Sequence, residues 1–152
     1  MSQPSPLQKL RRHTPQFRHL ALAICSFSLL FLAMTIFIGE QRPDRPEFFS
    51  LFYVGIILGG VQIPLSIYMW RFIPPRMPPA RDEKIIIAGF RMTMLVGLLL
   101  CMGIILYAGI AAILTGNAYP PAILGGLALG AMVYHLPGER TYELFVRGLS
   151  GE

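Results

Sequence analysis

Charged and apolar positions along this chain segregate into long blocks instead of alternating. His19 to Gly39, Phe48 to Trp70 and Met92 to Gly138 contain no Asp, Glu, Lys or Arg, over 21, 23 and 47 residues. A helix rising about 1.5 Å per residue needs roughly 20 such residues to cross a hydrocarbon core of about 30 Å. The first two blocks therefore supply one crossing each. The third is too long for one helix and carries its own break, Thr115-Gly116-Asn117 followed by Tyr119-Pro120-Pro121. Gly and Asn suit a helix C-terminus and Pro the first turn of the next helix. The pattern predicts an all-α polytopic membrane protein with four transmembrane helices, near 19–39, 49–71, 88–115 and 119–136.

The stretch Ile73-Pro74-Pro75-Arg76-Met77-Pro78-Pro79 disfavours helix and reads as a semi-rigid connector between two hairpins. The expected organisation is a basic tail over 1–17, a first transmembrane hairpin over 18–72, a connector over 73–80, a second hairpin over 81–136 and an amphipathic tail over 137–152. The hairpins read alike. Each has a basic pair seven residues apart (Arg11 and Arg18; Lys84 and Arg91), a long apolar helix, a turn, and a helix carrying Gly-x-x-x-Gly, at Gly55 and Gly59 and at Gly126 and Gly130. A parallel duplication would give both hairpins one orientation, with chance similarity as the competing explanation.

Composition agrees with the block pattern: 54% of residues are hydrophobic and 14% are charged, about half the charged share of a soluble domain. This excludes a water-soluble enzyme, a disordered chain and a secreted disulfide scaffold. The net charge of +5 flanks apolar spans, so it does not point to nucleic acid. Lys9, Arg11, Arg12 and Arg18 precede the first span; Arg71, Arg76, Arg81, Lys84 and Arg91 lie between the second and third; Arg140 and Arg147 follow the fourth. The other side holds Arg42 and Arg45, offset by Glu40, Asp44 and Glu47. Since short basic loops resist translocation, both termini are predicted cytoplasmic. The first apolar run exceeds a signal-peptide core and no small-x-small cleavage pattern follows it, so it is expected to be retained.

Candidate chemistry is sparse. The predicted cores contain no carboxylate, which argues against a proton-coupled small multidrug exporter and against a rotary-ring subunit. His19 and His135, near the cytoplasmic boundary on the first and fourth helices, are the remote candidates for holding a haem between helices, against solvated or hydrogen-bonded histidine as the ordinary reading. No cofactor is expected. Cys25 and Cys101 lack a C-x-x-C partner and read as packing residues. No nucleophile–base set or phosphate-cradling loop occurs, and the chain is not expected to be an enzyme.

Gln62, followed by Pro64, is the most unusual polar residue in a span. It would line a permeation path beside a kink or cross-link helices through its amide. Gly55, Gly59, Gly126 and Gly130 allow close helix approach within one chain or between copies. Arg81, Lys84 and Arg91 fall within about 80° on a helix and make a basic stripe at the membrane surface, suited to anionic lipid or an acidic partner, or only to fixing topology. Glu139 to Arg147 is expected to lie in the interface as a short amphipathic helix. Trp70 and the span-end tyrosines read as interface anchors.

From Arg91 to Arg147 the wording resembles a loose group of small bacterial four-helix inner-membrane proteins of unassigned function. Leu114-Thr115-Gly116-Asn117 closes the third helix, an apolar helix follows, and then come Pro137-Gly138-Glu139-Arg140 and an amphipathic end. Members often carry an acidic residue partway along the third helix, which this chain lacks. The resemblance implies a bacterial inner-membrane location. The function expected is a non-catalytic accessory, assembly or scaffold protein associating with itself or with other membrane subunits, with the bilayer, including anionic lipid, as its other partner. The alternatives are a small-solute or ion pathway formed by an oligomer and, remotely, a haem-bearing anchor.

Overall fold

The computed structural model describes residues 6–76 and 83–150, except the side chains of Arg76 and Ser150. Among these the chain is helical, with no strand: α1 (Pro6–Arg12), α2 (Thr14–Glu40), α3 (Ser50–Phe72), α4 (Glu83–Thr115), α5 (Tyr119–Tyr134) and α6 (Glu139–Ser150), with single 3-10 turns at Pro46–Phe48 and Pro74–Arg76. The helices outrun the charge-free blocks at most ends, because backbone hydrogen bonding continues past the edge of the apolar run. The basic tail itself is helical from Pro6, and its Leu10 is buried in the core.

Local sequence sets the helix ends. Pro15 starts α2, where a missing N–H costs nothing, and Pro74 and Pro75 stop α3. α4 ends at Gly116, in the left-handed region at φ 67°, with its backbone against Arg42 and Pro43. A side chain there would meet both the conformational penalty and that backbone. The Thr115 hydroxyl donates to Ala111 O at 2.8 Å, and the Asn117 side chain accepts from the Tyr119 N–H at 3.1 Å, starting α5. The break read from Thr115-Gly116-Asn117 thus falls where it was expected.

α2, the segment Pro46–Phe72 and α4 are each long and apolar enough to cross a membrane, and a fourth span is counted when α5 and α6, which meet at 71°, are taken together. α4 is the axis of the bundle. Half of its apolar window is buried, against 22% for α2 and 11% for Pro46–Phe72. α2, α3 and α5 all pack on α4, and α5 also touches α2 and α3.

The expected first hairpin is therefore opened. α2 and α3 are successive in sequence but have little contact with each other, because α4 fills the space between them. The Arg45 N–H donates to Thr115 O at 2.8 Å, tying the α2–α3 connection over the end of α4. α4 and α5 do form a packed pair, so the two halves of the chain are not used alike.

At the other end α1 and α6 lie together. Arg11 pairs with Glu139 at 2.7 Å, and the Tyr142 hydroxyl donates to Thr14 Oγ1 at 2.7 Å. α6 is amphipathic, as expected, but its apolar face is spent inside the protein: Tyr142 and Phe145 are buried. Phe90 of α4 sits at the middle of this end, with ring centroids 5.0 Å from Phe17, 5.4 Å from Trp70, 5.0 Å from Tyr142 and 5.5 Å from Phe145. Offset and edge-on aromatic pairs at these separations favour close packing beyond their buried area.

Candidate functional site

The most elaborate polar arrangement among the described residues lies just beneath this aromatic layer. His135 follows the last turn of α5 and is fully buried. Its ring is accommodated because α4 presents Gly97 to it: a Cβ there would stand 2.5 Å from the imidazole. The Trp70 indole N–H donates to His135 Nδ1 at 2.8 Å. An indole has no acceptor, so Nδ1 is unprotonated and Nε2 carries the hydrogen. Nε2–H then donates to Ser66 Oγ at 3.1 Å, and the Ser66 hydroxyl donates to Ile63 O at 2.7 Å. Cys101 Sγ also approaches Ser66 Oγ, at 3.6 Å. Every hydrogen in the chain has one direction and one acceptor. Such a closed network ties α3, α4 and α5 together through groups whose isolation in an apolar interior would be costly.

This arrangement bears on the haem candidates. Both ring nitrogens of His135 are engaged, and His19 is exposed on α2. The two are not brought together as a pair of free ligands. Among the described residues no three of His, Cys, Asp and Glu come together in a way suited to a metal ion. Trp70, expected at the interface, is buried and is the donor that fixes the histidine tautomer.

The glycines divide. A Cβ at Gly55 would lie 2.9 Å from both Leu124 and Tyr107, and one at Gly59 would lie 2.7 Å from Leu124, so this pair is used inside the chain, where α3 meets α4 and α5. Gly126 and Gly130 are exposed on α5, and a Cβ at either meets nothing within 4 Å. Their neighbour Gly125 makes the internal contact instead, with Leu32 of α2 at 2.6 Å.

Gln62 and Pro64 are also separated. Pro64, exposed, lines an apolar groove of about 580 Å³ between α3, α4 and α5, together with Gly55, Gly59, Tyr107 and Leu124. The Tyr107 hydroxyl in that groove is already committed, donating to Leu51 O at 2.6 Å. Gln62 is half-buried on another side of α3, with its Oε1 3.6 Å from where a Cβ of Gly103 on α4 would stand. Of the basic stripe, Lys84 and Arg91 are exposed on α4, and Arg81 lies outside the described residues.

Outside the membrane spans, the hydrogen bond and charge of Glu139 hold the Arg11 guanidinium above its ordinary pKa. Ser66, Gly97 and His135 form a buried cluster that the sequence did not reveal as a set. The available signal was a serine, a glycine and a histidine, each facing the sole tryptophan's end of the bundle, and no fixed spacing links them.

No protein-family model, no curated protein and no solved structure matches this chain.

Proposed function

We propose that the chain is a non-catalytic membrane subunit, an accessory, assembly or scaffold protein, that associates with copies of itself or with other membrane proteins through the outer face of α5. The observation that carries this reading is the open pair Gly126 and Gly130, flanked by exposed Ile123, Leu127 and Val133. Without a hydrophobic drive between helices in lipid, close backbone approach at small residues is a principal source of helix association. The buried Trp70, His135 and Ser66 groups, by contrast, are spent on each other.

In this reading the chain crosses the membrane four times, with α5 as the fourth crossing and both termini cytoplasmic. The meeting of α1 and α6 at one end supports an even number of crossings, and the Lys and Arg bias supports the orientation. Placement in a bacterial inner membrane rests on the resemblance of residues 91–147.

The test is extraction in native lipid particles and measurement of assembly mass for wild type and for Gly126→Leu with Gly130→Leu. The expected result is loss of copies or partners from the variant with an unchanged unfolding midpoint. An unchanged assembly defeats the reading. A second reading, a solute pathway, is favoured by Gln62, whose half-buried amide has no hydrogen-bond partner among the described residues. It predicts a flux in proteoliposomes that Gln62→Leu abolishes while leaving the assembly mass unchanged.

A further inference from the structure

We propose that the outward face of α4, at its Glu83 end, is a binding site for one anionic phospholipid. A groove of about 490 Å³ runs along this face, lined by Lys84, Ile87, Ala88, Arg91, Met92 and Leu95. That volume is within the range of small-ligand sites. Its two halves differ in chemistry. Lys84 and Arg91 are seven residues apart, two helical turns and about 10.5 Å along the axis, on one side of the helix. Between them, on the same face, stands Ala88, exposed and offering only a methyl group. Two long flexible cations on either side of a small residue leave a notch into which a phosphate fits, within reach of both.

Beyond Arg91 the groove is floored by Met92 and Leu95, and the chain carries no further charge until past Gly138. An acyl chain descending from a phosphate held at Ala88 meets only apolar side chains. The groove therefore spans the boundary between headgroup and hydrocarbon, and its charge complements an anionic lipid.

Among the described residues the nearest carboxylate does not cancel the site. Glu83 is turned to His13, 3.6 Å away. Lys84 has an interaction of its own within the chain, so Arg91 is the principal cation of the notch. The inference needs α4 to cross the bilayer with its Glu83 end at the surface. It does not depend on what α5 packs against.

The experiment uses the full chain, purified and delipidated in neutral detergent, with native mass spectrometry and thermal unfolding as readouts. Phosphatidylglycerol is expected to be retained as a single adduct and to raise the unfolding temperature, and phosphatidylcholine is expected to do neither. Lys84→Gln with Arg91→Gln should weaken phosphatidylglycerol binding about thirtyfold, at roughly 1 kcal/mol per basic residue near a membrane surface. Ala88→Trp should block the notch with both charges in place. Ala88 is exposed, so the lipid-free unfolding temperature of Ala88→Trp should match wild type; the double variant also loses the interaction of Lys84 within the chain, and if that impairs its folding, Ala88→Trp decides.

Equal retention of phosphatidylcholine, or undiminished phosphatidylglycerol binding in Ala88→Trp, overturns the proposal. So does competition by inorganic phosphate at concentrations comparable to the lipid, which would reduce the site to an ion notch. Preferential binding of a polyglutamate peptide would assign the face to an acidic protein segment and overturn it equally. Assembly mass, followed in parallel, separates failure of the lipid site from failure of the proposed α5 contact.

Discussion

Gly55 and Gly59 on α3 lie against Leu124 and Tyr107 inside the chain, whereas Gly126 and Gly130 on α5, spelled the same way, face outward with open space beside them. The same four-residue spacing thus serves two ends. On α3 it lets a lightly buried helix approach the α4–α5 pair; on α5 the inward task falls to Gly125, one residue before the motif, which admits Leu32. The spacing specifies a flat strip on a helix. What meets the strip is decided by which way the rest of that helix must turn to bury its other contacts.

The comparison can be broken by substitution. The largest effect is expected at a third kind of glycine, Gly97, where an added side chain collides with the His135 ring and leaves the Trp70 N–H without an acceptor. Gly97→Val should lower stability by about 3 kcal/mol, read from denaturant unfolding in mixed micelles. Gly59→Leu and Gly55→Leu come next, at about 1–3 kcal/mol by the same measurement, because Leu124 and Tyr107 have to move.

Gly126→Leu should leave unfolding within about 0.5 kcal/mol of wild type and act on assembly mass instead. If it destabilises the isolated chain as much as Gly59→Leu does, the two pairs do not sit in different environments and the contrast is void. The smallest effect is expected at Gln62. Its amide has no partner to lose among the described residues, so Gln62→Leu should be neutral or raise stability by up to about 1 kcal/mol, measured in micelles. A clear loss of stability would mean that the amide is bonded within the chain after all.

Much of the architecture was legible because membrane spans are written in one dimension. Charge-free runs locate α2, α3 and α4, and Thr115-Gly116-Asn117 locates the turn into α5, since a left-handed residue and an N-terminal cap are local requirements. Which helices touch was not legible in the same way. Nothing in 18–72 announces that α4 will come between α2 and α3, because that depends on small residues far downstream, such as Gly109 against Phe31 and Thr35.

Trp70 misleads for a related reason. At a span end it resembles an interface anchor, and only the arrival of His135, 65 residues later, supplies the acceptor that makes burial of its N–H affordable. The amphipathic pattern of α6 was readable, but a pattern states only that one face is apolar. The choice between lipid and protein is made by Phe90, Phe17 and Trp70, which leave a socket for Tyr142 and Phe145.

That socket also carries information about time. The rings around Phe90 come from α2, α3 and α6, and those of the first and last lie more than a hundred residues apart in sequence. A ribosome releases Tyr142 and Phe145 after the rings they cover, so Phe17, Trp70 and Phe90 wait uncovered until α6 has emerged. α6 then acts as a latch that closes over them, and until it docks the chain carries an open aromatic surface of the kind that makes folding intermediates prone to aggregate.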